Sequence, residues 1–245
     1  MSSSLIDYTL HLADTTLILA QRNAEWCGHG PILEQDIAIT NISLDLLGQS
    51  RNFYQYAATL LGNDTTEDSL AYLRTEREFK NHLLVEQPNS DWGQTILRQF
   101  FFSAYQSLLY EKLQYSNDEQ IAAIAAKALK EVAYHVRWSS EWVIRLGDGT
   151  EESHQRMLKA IDELWRYTGE LFIAADYETA AGFDVMLLKD EWLKKITFVF
   201  EEATLLVPEK TFMQTGGKTG VHTEHLGYIL TELQYLQRTY PGAEW

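Results

Sequence analysis

The sequence predicts an all-α protein, a four-helix bundle with additional helices. Three observations carry that fold class. Apolar residues recur at helical spacing over long stretches. The polar breaks between those stretches are short. Only four of the 245 residues are proline, which a helix interior tolerates poorly.

The elements follow in order. The first helix is expected over residues 5–26, stopped by Gly28, Gly30 and Pro31. The second runs from Ile32 to Leu61 and ends at the turn Gly62-Asn63-Asp64. A shorter one follows from Glu67 to Leu84. Pro88-Asn89-Ser90 breaks the chain, and Asp91 caps a helix that reaches Tyr115. After Ser116-Asn117-Asp118 comes a helix from Glu119 to Leu146. Gly147-Asp148-Gly149-Thr150 ends it and opens another, to Ala175. A further helix spans Leu188 to Leu206, before Pro208. The last starts at Thr219 or Thr223 and stops before Pro241-Gly242. Ile196-Thr197-Phe198-Val199-Phe200 has the composition of a strand, but its flanks favour helix, so buried helix is expected. With no internal repeat and no low-complexity linker, residues 1–245 read as a single domain.

Four segments of roughly 20–30 residues suggest the bundle. On the Glu119–Leu146 helix, Ile121, Ala125, Ala128, Val132, His135, Ser139 and Trp142 share one face, so His135 points inward. Leu97, Phe100, Ala104 and Leu108 form the stripe of the helix before it. The Ile32–Leu61 helix is apolar nearly all round and is expected at the centre. Asn41, Asp45, Gly48 and Asn52 interrupt it along one edge.

Composition excludes several function classes. The net charge is −15, with Lys and Arg scattered, so neither a nucleic acid nor an anionic membrane finds the basic surface it needs. Cys27 is the only cysteine, which excludes an intrachain disulfide and a zinc ribbon. The N-terminus lacks a basic leader region, and no run of about 20 apolar residues exists to span a membrane. A cytoplasmic location is expected.

Long helices with inward polar residues raise the di-iron carboxylate bundle. That site takes a Glu from each of two helices and a Glu-x-x-His from each of the other two. The only Glu-x-x-His here is Glu151 to His154, at a helix start where acids are favoured by the dipole anyway. The frames Asp45-Leu46-Leu47-Gly48 and Val132-Ala133-Tyr134-His135 each lack a ligand, and no Asp or Glu lies between Trp92 and Tyr110. An oxygen-activating iron pair needs those carboxylates for charge balance and bridging. Asp45, Glu131 and His135 are the residual metal set, the basis of an alternative in which the chain is itself a ferritin-like di-iron enzyme.

Three further segments draw notice. Gly216-Gly217-Lys218-Thr219 resembles the end of a phosphate loop, but Phe212 stands where its first glycine belongs and no strand precedes it. A glycine-rich turn can still offer free N–H groups to an anion. His222-Thr223-Glu224-His225 sets two imidazoles three residues apart. Glu25-Trp26-Cys27-Gly28-His29 sits at a helix end.

These segments also carry a resemblance. Glu25–His29, Asn41-Ile42-Ser43-Leu44-Asp45-Leu46-Leu47-Gly48-Gln49, Leu84-Val85-Glu86-Gln87-Pro88-Asn89, Lys130-Glu131-Val132-Ala133-Tyr134-His135, Thr215-Gly216-Gly217-Lys218-Thr219-Gly220 and His222-Thr223-Glu224-His225-Leu226-Gly227 are similar to the C subunits of bacterial phenylacetyl-CoA epoxidases. These are multicomponent ring-1,2 monooxygenases, and the blocks run in order from end to end. The resemblance implies a ferritin-like fold and a structural role beside a catalytic A subunit that carries the di-iron centre. It implies a small B subunit and a reductase with FAD and an iron–sulfur centre. The complex would use NADPH and dioxygen to epoxidise the aromatic ring of phenylacetyl-CoA in aerobic phenylacetate catabolism. No catalytic residue, metal or cofactor is expected in this chain. Trp26, His29, Gly216, Gly217, Lys218, His222, Glu224 and His225 are its candidate contacts to a partner or to coenzyme A. Seven Trp, thirteen Tyr and ten Phe also exceed what one bundle core holds easily, which favours an aromatic interface.

Overall fold

The computed structural model describes residues 3–209 and 211–243. Among them the fold is all helical, with no strand. The α-helices are α1 (Ser3–Ala24), α2 (Leu33–Leu61), α3 (Glu67–Tyr72), α4 (Leu83–Glu86), α5 (Trp92–Leu113), α6 (Glu119–Gly147), α7 (Glu151–Leu164), α8 (Asp176–Ala180), α9 (Lys189–Glu202) and α10 (Glu224–Thr239). The four long ones are α1, α2, α5 and α6. A long crossover joins the second to the third, which is the connectivity of a ferritin-like fold.

The chain divides into two compact units. Unit 1 comprises Met1–Glu86, Ala175–Phe183 and Gly216–Trp245, and unit 2 comprises Gln87–Ala174 and Asp184–Thr215. In unit 1, α1 and α2 pair antiparallel. Ser43 Oγ donates to the Ala20 carbonyl at 2.8 Å, and Ser50 Oγ to the Ala13 carbonyl at 3.0 Å. These short side chains let the helices approach closely and set their register. Helices α4, α8 and α10 also pack on α1. Residues 8–20 of α1 are all buried, including His11, Asp14, Thr15 and Thr16.

In unit 2, α5 packs on α6, α7 and α9. Asp91 caps α5 by accepting from the Gln94 N–H at 3.0 Å, and Asp118 caps α6 by accepting from the Ile121 N–H at 2.9 Å. Phe101 of α5 centres an aromatic cluster. Its ring centroid lies 5.6 Å from Trp165, 5.8 Å from Trp192 and 6.0 Å from Phe200. Trp192 Nε1 donates to the Phe101 carbonyl at 3.0 Å, so the buried indole is satisfied.

Four sequence expectations are corrected. The helix buried all round is α5, not α2. Residues 93–107 are all buried, while α2 turns Leu33, Ile37, Leu44 and Gly48 outward. The segment from Glu67 to Leu84 is not one helix. It is α3, a 3-10 turn at Glu76–Glu78, an extended stretch and α4. Asp14 explains the break: it accepts from the Lys80 N–H at 2.8 Å and from the Arg74 guanidinium, drawing the chain out of helical register. The helix expected to reach Ala175 ends at Leu164, giving way to 3-10 turns at Trp165–Tyr167 and Gly169–Phe172, and α8 follows where no helix was expected. Helix α9 stops at Glu202 rather than Leu206. Thr204 takes a left-handed φ of 57°, and the Leu205 N–H reaches the Phe200 carbonyl at 2.8 Å, a Schellman-type closure.

Candidate functional site

The densest chemistry lies inside unit 1, where three carboxylates among the described residues are buried. Glu86, at the end of α4, is the first. Its Oε2 faces His222 Nδ1 at 2.9 Å and accepts from Asn81 Nδ2 at 2.9 Å. Its Oε1 accepts from the Thr223 N–H at 2.7 Å and the Thr223 hydroxyl at 2.8 Å. The other ring nitrogen of His222 faces the Phe79 carbonyl at 2.9 Å. Both nitrogens therefore face acceptor oxygens, an arrangement that favours the doubly protonated ring. Burial works against that charge, but the Glu86 carboxylate and the Phe79 carbonyl outweigh it, and the His222 pKa is raised. This buried ion pair pins the start of α10.

Glu178 of α8 is the second. Lys218 Nζ donates to both of its oxygens, at 3.1 and 2.9 Å, and the Ala175 N–H donates to Oε2 at 2.8 Å. His11 Nε2 lies 3.7 Å from Oε1, and the His11 and His82 rings are 4.7 Å apart. Burial lowers the pKa of both rings, and for His82 the neighbouring His11 adds to the effect. Gly220 closes the loop that delivers Lys218. Its φ is 81°, and a Cβ there would strike the Arg77 carbonyl. Asp14 of α1 is the third carboxylate. It accepts from Arg74, from the Tyr54 hydroxyl at 2.5 Å and from the Lys80 N–H. Burial and the Asp14 charge push the Tyr54 pKa well up.

At the α1–α2 corner, Trp26 is half-buried while Cys27 and His29 are exposed. The Gly30 N–H donates to Asp36 at 2.9 Å, and the Gly30 and Gly28 amides lower the pKa of that carboxylate. The corner is thus closed by the first turn of α2, with its apolar residues Ile32 and Leu33 left outside.

The sequence matches a family model described as phenylacetic acid catabolic protein over residues 1–245. The chain belongs to that family. It is 50% identical over 248 residues to the C subunit of the 1,2-phenylacetyl-CoA epoxidase of Escherichia coli (strain K12), across 99% of this chain and 100% of that protein. No helix among the described residues is long and apolar enough to cross a membrane.

The frames in which a di-iron donor set was sought are placed as follows. Gly48 lies on the outward face of α2 with open space where a Cβ would stand, so that frame is not turned inward. Val132 is buried but has no donor atom, and α5 supplies no carboxylate from Trp92 to Tyr110. Of the residual metal set, Asp45 on α2 and Glu131 on α6 are half-buried, and His135 on α6 is buried. Among the described residues no group of three or more His, Cys, Asp or Glu is placed to hold a metal ion.

The candidate contact residues fall into two groups. Lys218 is buried with its ammonium spent on Glu178, and the His222 side chain is fully enclosed. Gly216 is half-buried and Gly217 buried. Lys218 and His222 thus take part in ion pairs inside unit 1. Trp26 and His225 are half-buried, and His29 and Glu224 are exposed. Sequence reasoning missed Asp14, Arg74, Glu86 and Glu178. Asp14 carried a usable signal, an acid within an apolar helix, which must find a cation or neutralise. Also missed was a groove of about 800 Å³ in unit 2, lined by Trp165, Phe172, Trp192, Leu193, Phe212 and Met213.

Proposed function

We propose that this chain is the C-type component of a multicomponent monooxygenase that epoxidises the aromatic ring of phenylacetyl-CoA in aerobic phenylacetate catabolism. Its own role is structural: it holds an iron-bearing A subunit in one geometry. The family membership and the end-to-end identity to the C subunit of an epoxidase support the assignment. The saturation of the buried carboxylates supports the structural role. Asp14, Glu86 and Glu178 each accept from fixed cations, amides or hydroxyls of the chain itself. Carboxylates spent in this way build a rigid body rather than a site for oxygen chemistry. Positioning alone is a sufficient contribution, since about 1 Å of misplacement costs on the order of a hundredfold in rate.

In this proposal the di-iron centre belongs to the A subunit. FAD and the iron–sulfur centre belong to a reductase that draws on NADPH, and the complex also holds a B subunit and works in the cytoplasm. Residues 1–245 act as one domain, because the family model spans them all and the chain passes repeatedly between the two units. The test is reconstitution. Sedimentation with the A subunit should show a complex at micromolar concentration, and the A subunit should lose most of its activity without this chain. Full activity of the A subunit alone, or about two irons bound per copy of this chain after anaerobic loading, refutes the reading.

A further inference from the structure

We propose that the groove in unit 2 is a binding site for a small aromatic carboxylate of one or two rings. The structural role above does not call for such a site, and the two stand or fall separately. The inner surface of the groove is built of rings that are fixed before any ligand arrives. Trp165, Phe172 and Trp192 line it and are 5%, 3% and 2% exposed. The centroids of Trp165 and Trp192 are 5.8 Å apart, and those of Phe172 and Trp192 are 5.2 Å apart. Polar atoms among them are already used. Trp192 Nε1 donates to the Phe101 carbonyl at 3.0 Å, and the Thr168 hydroxyl donates to the Trp165 carbonyl at 2.8 Å. An occupant therefore meets apolar ring surface, on which another ring gains more than its area alone would give. The space is about 800 Å³, within the usual range of small-molecule pockets.

Another wall is the chain after α9, which brings Val207, Phe212 and Met213 to the groove. It is fastened at both ends. Before it, the Leu205 N–H reaches the Phe200 carbonyl at 2.8 Å, and after it the Gln214 N–H donates to the Arg166 carbonyl at 2.8 Å. Met213 packs so closely on Gly169 that a Cβ there would come within 2.6 Å of its Cγ. Phe212 borders the groove yet is 80% exposed, and a ring seated beside it supplies the apolar neighbour it lacks in the chain. The charge of the ligand is set by α9. Lys189, Trp192 and Leu193 lie at i, i+3 and i+4, so they share one face of that helix, and all three line the groove. Lys189 is exposed and stands in the first turn, where the helix dipole adds to its positive charge. Of its acidic neighbours, Glu191 is paired with Lys194 at 2.7 Å, and neither Asp190 nor Glu191 lines the groove. Glu209 does line it, but from no helix terminus, so the balance favours an anion.

The experiment titrates the full chain with naphthylacetate by calorimetry, beside its neutral amide and the cationic naphthylethylamine, and follows isotope-labelled methionine methyls by NMR. The carboxylate should bind with a Kd of about 1 mM or tighter, and the amine about threefold or more weakly than that. The Met213 methyl should shift by ring current, while that of Met157, buried elsewhere in unit 2, should not. Phe212→Ala should weaken the carboxylate and the amide alike, by about threefold or more. Lys189→Glu should weaken the carboxylate about threefold or more and leave the amide within about twofold. Both side chains are exposed, and circular dichroism confirms that both variants are folded. No binding at tenfold the expected Kd overturns the site. So does binding that shifts Met157 instead of Met213, or that neither substitution alters. An amine that binds as tightly as the carboxylate overturns the anionic class. None of these results bears on the structural role, which reconstitution tests.

Discussion

The interior of unit 1 carries the pairs Asp14–Arg74, Glu86–His222 and Glu178–Lys218, whereas that of unit 2 is filled chiefly by Phe101, Trp165, Phe172, Trp192 and Phe200, with Arg98 and Glu170 buried beside them. The two differ in what they demand of the sequence. Unit 1 is assembled from three distant stretches of chain, and each buried charge has one acceptable partner. Glu86 admits only a segment bearing the donors of His222 and Thr223, and Glu178 only one bearing Lys218. Rings pack with less discrimination, so unit 2 depends on volume. Buried ion pairs are weak evidence for net stability, but breaking one strands its other half. Unit 1 should therefore respond to loss of charge and unit 2 to loss of bulk.

The largest expected effect tests that contrast directly. Glu86→Ala leaves the His222 imidazolium and the Asn81 and Thr223 donors facing a void. It should cost about 3–5 kcal/mol, read as a lowered urea midpoint. Trp192→Phe in unit 2 trims the ring volume and removes the indole N–H that donates to the Phe101 carbonyl, and should cost about 2 kcal/mol. If the two costs were equal, the distinction between the units would dissolve.

Acidity separates the fastenings within unit 1. The folded pKa of His222 is raised, so its contribution is complete below about pH 6.5 and fades as pH climbs through the folded value. Burial gives His11 and His82 lowered folded values. Their effect is the reverse: stability falls as pH drops below about 6.5, because the unfolded chain takes up protons that the native one refuses. Urea midpoints against pH should thus decline on both sides. His222→Gln should remove the decline at higher pH and leave that at lower pH. A profile unchanged by that substitution would mean that the ring is not charged. The groups that set this titration are Glu86 and the Phe79 carbonyl, with Asp14 farther off.

The smallest expected effect has the opposite sign. Gly48→Ala should stabilise the isolated chain by up to about 1 kcal/mol, since the added methyl meets open space and alanine favours helix. A lowered urea midpoint would mean that the helix does need glycine at this position.

Much of the fold was legible because helix periodicity and capping are local. Asp91 and Thr150 cap the helices they were expected to cap, and Ile196–Phe200 is helical because its neighbours are. The interruption at Glu76–Glu78 was hidden because its cause, Asp14, lies some sixty residues away. The exchange of roles between α2 and α5 was hidden for a related reason. Periodicity shows which residues are apolar but not which of them face solvent, so the outward aliphatic residues of α2 looked like core.

The sequence by itself determined the helical class, the positions of most helix ends and the family. Those follow from local spacing and from residue identity. Only the tertiary structure decided that Lys218 and His222 face inward, that Glu86 and Glu178 receive them, and that α2 leaves Leu33, Ile37, Leu44 and Gly48 outside. A charge and its partner, or an apolar face and its cover, are related through space, and no local pattern along the chain encodes which distant segment comes to meet them.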